Sequence, residues 1–254
     1  MLCCLRPVAG CVRVRRKEAR VSGHRTLLLV HGAWHGPWCW QPLIDHLPDV
    51  DVRTVTLSSS GKAPAVLGDL YDDAEVVAKA LAAIDAPTVV VGHSYGGCPV
   101  SEAAGTVGNV RRVVYLSALM QDVGDSVLSL VGGGYPPYWD VHEQPQGSPD
   151  HDYFEVSEPM EVLYGDVEPR LAQQAVARLG RQSLASAVQP LTRAAWHTVP
   201  STYILCEDDL AIPLPVQEEM ARRAQRTRRL RSSHSPFLSR PAELALMLRE
   251  ELAG

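Results

Sequence analysis

At 254 residues, 46% apolar and 21% charged, the chain has the make-up of an ordinary globular protein with one large domain and a substantial core. No window approaches 18 uninterrupted apolar residues, so no transmembrane helix and no membrane partner are expected. The net charge is −5; Arg6, Arg13, Arg15, Arg16, Lys17 and Arg20 against Glu18 give +5 over residues 1–20, leaving −10 for the rest, which argues against nucleic acid as a partner.

Residues 1–24 read as a disordered or wrongly assigned N-terminal tail. Pro7, Gly10 and Arg13 interrupt any secretory h-region; one hypothesis for this stretch is a true start at Val21 from a GTG codon. Six cysteines (Cys3, Cys4, Cys11, Cys39, Cys98 and Cys206) include no C-x-x-C pair, which fits a reducing, cytoplasmic setting.

Thr26 to Val30 is an apolar run of buried-strand type, and it ends in His31-Gly32-Ala33-Trp34-His35-Gly36. Trp38 to Leu47 reads as a short helix stopped by Pro48, and Val52 to Leu57 as a second strand before the loop Ser58-Ser59-Ser60-Gly61. Between Tyr71 and Asp85, Val77, Ala80, Leu81 and Ile84 recur at helical spacing. Thr88 to Val91 is a β-branched strand that runs into Gly92-His93-Ser94-Tyr95-Gly96-Gly97, and a helix is expected from there to about 106. That strand–turn–helix context is what G-x-S-x-G needs in order to raise a serine hydroxyl above a sheet edge. Arg112 to Leu116 completes this half.

From 120 to 198 the alternation lapses into Pro-, Gly- and aromatic-rich sequence. About 80 residues is too long for an ordinary connection, so the stretch is read as an inserted, largely helical cap, with Glu168 to Leu179 its clearest helix. The core is then 25–119 plus 199–254. Alternation resumes with a strand at 202–206, a helix from Pro215 to about Gln225, a strand at 227–231 and a closing helix at 241–252. The order implies an α/β fold, a mostly parallel twisted sheet with helices on both faces.

A serine hydroxyl needs a base, and the base needs a group to hold its tautomer. Ser94 is the proposed nucleophile and His234 the base. The acid is Asp209 or its neighbour Asp208, because both follow the strand that ends at Cys206. Backbone N–H groups of Ala33 and Tyr95 are the expected oxyanion donors. His31 is read as structural, and His35 as directed toward the cap. The arginines at 222, 223, 226, 228, 229 and 231 are read as a solvated face, Gly132–Gly134 as a cap loop, and Asp150-His151-Asp152 as no metal site. No cofactor is expected.

These residues together resemble the α/β-hydrolase superfamily, in the branch that holds plant salicylate and jasmonate methylesterases, hydroxynitrile lyases and actinobacterial esterases. The resemblance spans about 26–252 and rests on LLLVHGAWHGPWCW (27–40), VVVGHSYGG (89–97), RLGRQSLASAVQPL (178–191), YILCEDDLAIP (203–213) and SSHSPFLSRP (232–241). It implies the α/β-hydrolase fold and favours Asp209, three residues before Ile212-Pro213. The lyases carry a threonine and a lysine where this chain has Ala33 and Ser235, so cyanohydrin cleavage is disfavoured. Ser94 in place of an aspartate nucleophile excludes the dehalogenase and epoxide hydrolase route. Ser58–Gly61 departs from the branch's usual Leu-Pro.

The expected activity is hydrolysis of a small carboxylic ester through an acyl-enzyme, with Trp34, Tyr135, Tyr138, Trp139, Tyr153 and Phe154 shaping the pocket. The alternatives are a weakly active ligand-binding or regulatory protein on the same fold, and a biosynthetic tailoring hydrolase or lactonase. The oligomeric state, a homodimer included, is left open.

Overall fold

The computed structural model describes residues 11–13 and 25–254. Among them eleven strands form: β1 (Cys11–Arg13), β2 (Thr26–Val30), β3 (Asp51–Val55), β4 (Ser60–Gly61), β5 (Thr88–His93), β6 (Val110–Leu116), β7 (Trp139–His142), β8 (Tyr153–Val156), β9 (Arg181–Ser183), β10 (Ser201–Cys206) and β11 (Arg226–Leu230). The main sheet runs β1-β3-β2-β5-β6-β10-β11. From β3 to β11 every neighbouring pair is parallel. The tail expected at 1–24 lies outside the described residues apart from Cys11–Arg13, whose backbone pairs antiparallel with β3 at the edge.

Strands buried on both faces read as continuous apolar runs rather than alternating ones, and β2 (TLLLV) and β5 (TVVVGH) are buried throughout. β11 is the opposite case. It is the far edge of the sheet, and its RTRRL sequence leaves four of five side chains exposed or half-buried, the charge that discourages edge-to-edge pairing. Its arginines are paired at home: Arg228 with Glu250 and Glu251, and Arg229 with Glu207 and Glu218.

Helices follow local signals. Leu70–Ala82 opens on a capping box in which the Asp69 carboxylate accepts from the Tyr71 and Asp72 N–H groups and Asp72 reaches back to the Asp69 N–H. It buries Val77, Ala80 and Leu81 against the sheet. Where a helix was expected at 38–47, the chain makes a 3₁₀ turn (Pro37–Trp40) and then a short helix (Gln41–Asp45), each with proline in its first turn.

The segment 120–198 is more mixed than expected. It has short helices at Val127–Leu130, Pro159–Val162, Pro169–Val176 and Ala185–Val188, but also three strands of an antiparallel sheet ordered β4-β9-β8-β7. The fourth strand, β4, comes from the Ser58–Gly61 loop of the core, so this loop is sewn to the inserted segment. The strands escaped the sequence reading because each has only three or four residues, too few for a period to show. Gly132 and Gly133 take positive φ of +80° and +83°, and the Gly133 N–H caps the Leu128 carbonyl, ending the first of these helices. Among the described residues no helix is long and apolar enough to cross a membrane.

Close packing around Ser94 depends on missing side chains. A Cβ on Gly96 would lie 2.5 Å from the His31 carbonyl oxygen and 2.8 Å from that of Val30, both backbone atoms that cannot turn aside. Gly96→Ala is therefore expected to cost about 1–3 kcal/mol in urea unfolding. Gly108→Ala, with nothing within 4 Å of its Cβ position, should stay within about 0.5 kcal/mol of the parent.

Candidate active site

In a parallel sheet all carboxyl ends arrive at one edge, and ligands bind where the strand order reverses. Here the reversal falls between β2 and β5, since the chain steps outward from β2 to β3 and then returns to the other side of β2. β5 delivers Ser94, β2 the His31–Gly36 loop, β6 Ser117, β10 Asp209 and β11 His234.

Ser94 occupies the left-handed region with φ +52°, a conformation costing a non-glycine residue on the order of 1–3 kcal/mol. The neighbours hold it there. A Cβ on Gly92 would meet the Gly96 carbonyl at 2.8 Å, and the Ser94 carbonyl accepts from the Leu119 N–H at 3.0 Å. Of residues 92–97, Ser94 alone is not fully buried.

His234 and Asp209, 25 residues apart, meet with Nδ1 2.7 Å from Oδ2, both side chains buried. The carboxylate is well provided for. Oδ1 accepts from the N–H groups of Ala211 (2.8 Å) and Ile212 (2.9 Å), and Oδ2 also accepts from the Ser117 hydroxyl. Asp208, the alternative acid, is turned outward, 3.7 Å from Arg231.

The Ser94 hydroxyl and the His234 ring line the same cavity without a hydrogen bond joining them. Catalytic hydrogen bonds in unliganded sites are often long and tighten only with substrate.

Two supporting residues escaped the sequence reading. Ser117, itself at φ +38°, follows β6 as Ser94 follows β5, and that position was the available signal. Gln217 was invisible: its amide bonds the Cys206 N–H and carbonyl and the Ile212 carbonyl, bracing the 207–212 loop from a helix face.

Three further histidines surround the site. His93 donates from Nε2 to the His234 carbonyl at 2.8 Å, fixing the backbone from which the His234 ring projects. His31 donates from Nδ1 to the Gly32 carbonyl and accepts the Leu57 N–H at Nε2, which is the structural role expected. His35 donates to the Ala33 carbonyl and accepts from the Tyr164 hydroxyl of the inserted segment (2.8 Å each). Burial pushes His31 down to about 4 and His35 to about 3, and holds His93 well below the ordinary imidazole range. All three are neutral at pH 7.

The cavity above Ser94 has a volume near 510 Å³, within the range of small-molecule sites. Trp34, Tyr135, Tyr138, Trp139 and Phe154 line it, as do Ala33 and Tyr95. Trp139 stacks on Phe154 with ring centres 4.0 Å apart, and the Tyr138 hydroxyl donates to the Ala211 carbonyl. Tyr153 is a correction to the expected lining. Successive residues of a strand point to opposite faces, so with Phe154 turned into the cavity Tyr153 turns away, stacked on His142 (4.7 Å) beneath the Arg181 guanidinium. On that outer face Asp140, His142 and Glu155 have metal-ligand spacing, but Arg181 already pairs with Glu155. The remaining walls are aliphatic, including Leu119, Leu130, Ile212 and Val216.

A doubly wound parallel sheet with a serine on a strand–turn–helix elbow and an insertion roofing the carboxyl edge is the α/β-hydrolase fold. A profile of the Alpha/beta hydrolase family matches residues 27–245, and the chain belongs to that family. The alpha/beta hydrolase nvfD of Aspergillus novofumigatus is 31% identical over 88% of this chain and 94% of its own length. Methylesterase 7 of Arabidopsis thaliana is 25% identical over 90% and 96%. In fold the chain is similar to polyneuridine aldehyde esterase, with a TM-score of 0.77 and 21% identity over 90% of this chain and 99% of that one.

The buried histidines make stability pH-dependent. Their folded pKa values lie below the value near 6.5 expected when unfolded, so between about pH 4 and 6.5 the unfolded chain binds more protons. Their contribution is therefore complete above pH 6.5 and lost as the pH falls. Stability to urea is therefore expected to fall steadily from pH 7 to pH 5. Urea unfolding at pH 7, 6 and 5 measures it, and a flat profile would refute the neutral-histidine cluster.

Proposed function

We propose that this chain hydrolyses a neutral, largely apolar carboxylic ester through an acyl-enzyme formed on Ser94. The observation that carries the reading is the buried His234–Asp209 contact of 2.7 Å on the wall of the cavity that the strained Ser94 enters.

His234 Nε2 takes the Ser94 proton as the oxygen attacks the ester carbonyl. Asp209 holds Nδ1–H and offsets the imidazolium charge. Backbone N–H groups of Ala33 and Tyr95 receive the developing oxyanion, each such donor being worth about 2.7–4 kcal/mol. The imidazolium then protonates the leaving alcohol, and water, deprotonated by the same ring, releases the acid. No resident cofactor or metal takes part in these steps.

Among the described residues the cavity lining contains no lysine or arginine, and its aromatic and aliphatic walls would strip water from an ionised substrate without recompense. That favours esters uncharged in both acyl and alcohol parts, aryl, alkyl and methyl esters among them. The methylesterase name of one relative agrees with this range.

With p-nitrophenyl acetate, Ser94→Ala is expected to abolish turnover, and Asp209→Asn to lower kcat by about 10⁴-fold, with the circular dichroism spectrum of each unchanged. Retained activity in Ser94→Ala would overturn the assignment. Fluorophosphonate labelling of Ser94 without turnover of any neutral ester would instead favour a ligand-binding protein on this fold.

A further inference from the structure

The Ser58–Gly61 loop has no part in the steps above, yet it is the core of a buried polar network. Asp73, in the first turn of helix Leu70–Ala82, is fully buried and has no ion-pair partner among the described residues. It is held by hydrogen bonds alone. Oδ1 accepts from the Ser58 hydroxyl (2.9 Å) and the Ser59 N–H (3.0 Å). Oδ2 accepts from the Ser59 hydroxyl and from the Tyr95 phenol (2.8 Å). Burial lifts this carboxyl above its ordinary range, as expected where no cation offsets it.

The network continues across the cleft. Gln182 on β9 of the inserted segment is also fully buried, and its Nε2 donates to the Ser59 hydroxyl and to the Ser186 hydroxyl, 2.7 Å each. Its Oε1 accepts from the Ser60 hydroxyl and from the Trp34 backbone N–H (3.3 Å). Both donors and both acceptor sites of this amide are thus engaged, the condition under which a buried polar group rigidifies its surroundings. Next to it the Gly180 N–H donates to the Trp34 carbonyl at 2.7 Å. Trp34, at φ +63°, is therefore gripped at both its N–H and its carbonyl by the inserted segment.

The two ends of this network coincide with the two sides of the proposed oxyanion site. Gln182 fixes the peptide plane that joins Ala33 to Trp34, the one immediately after the peptide that carries the Ala33 N–H. Asp73 fixes the ring of Tyr95, whose backbone N–H is the other donor. Loops 62 positions apart in the chain are thereby referenced to one buried amide–hydroxyl–carboxylate run.

We propose that Gln182, Ser59 and Asp73 are positioning residues that set the spacing of the Ala33 and Tyr95 N–H donors and couple that spacing to the docking of the inserted segment. The inference rests on the acyl-enzyme reading above. It also accounts for Ser58-Ser59-Ser60 where the resemblance leads one to expect Leu-Pro: the Ser58 and Ser59 hydroxyls are donors to a cation-free Asp73, and the Ser60 hydroxyl is a donor to Gln182.

The test compares Gln182→Ala, Ser59→Ala and Asp73→Asn with Val77→Ala, a core truncation on the same helix as Asp73 that lies outside the network. Misplacing catalytic groups by about 1 Å can cost on the order of 10²-fold. The network variants should lose about 10–100-fold in kcat on a neutral ester with KM within about threefold, and fluorophosphonate labelling should slow in parallel. Val77→Ala should lose thermal stability with kcat unchanged. Hydrogen exchange should accelerate in the peptides that contain Trp34 and Tyr95 in Gln182→Ala but not in Val77→Ala.

A kcat loss in Val77→Ala matching that of the network variants, or a kcat unchanged in all three of them, would overturn the proposal. So would unaltered exchange in both peptides, a readout that does not require Ser94 to be reactive. Failure of the wild-type chain to label or turn over, with exchange still responding, would count against the acyl-enzyme reading instead.

Discussion

Parallel pairing is the constraint from which the site follows. Six strands run the same way, so their carboxyl ends must leave the sheet along one edge, and every loop after a strand begins there. Ser94, Ser117, Asp209 and His234 are dispersed over 141 positions of sequence, yet each lies within a few residues of such an end. Crossover helices and loops vary in length without disturbing this, because the hydrogen-bond register of the strands sets where each loop starts.

Bringing polar groups to that edge buries them, and the fold answers most with a partner, His93 Nδ1 and the Ser235 hydroxyl being exceptions. Asp209 receives backbone N–H groups and a serine hydroxyl, His93 and His31 donate to carbonyls, and Asp73 collects three side-chain hydroxyls and a backbone N–H. Unpaired, any one of these would cost about 1–3 kcal/mol or more. Desolvation also acts on the surrounding imidazoles, holding His31, His35 and His93 neutral. The cavity beyond them is apolar, which strengthens any electrostatic interaction made inside it.

The inserted segment is tied to the core at the same edge. β4 joins its sheet, Gly180 and Gln182 hold Trp34, and Tyr164 meets His35. These contacts fall on the loops after β2 and β3, so the roof of the cavity and the wall beside Ser94 are one hydrogen-bonded unit.

What the chain announced by itself was whatever depends on neighbouring residues. The buried strands 26–30 and 88–91 were legible because a β-branched or aliphatic run between turn residues has few other uses. The elbow at 92–97 was legible because two glycines around a serine, after a strand and before a helix, describe a backbone shape. The helical spacing of Val77, Ala80, Leu81 and Ile84 was legible for an equally local reason. The tertiary structure alone decided what depends on direction and on distant partners. It turned Asp209 inward and Asp208 outward, put Phe154 in the cavity and Tyr153 behind it, gave the inserted segment a sheet, and joined Asp73 to Gln182 through Ser59. Local sequence carries backbone propensity over a few residues; which face a side chain presents, and what waits for it there, is set by pairing and packing between segments that the sequence keeps far apart.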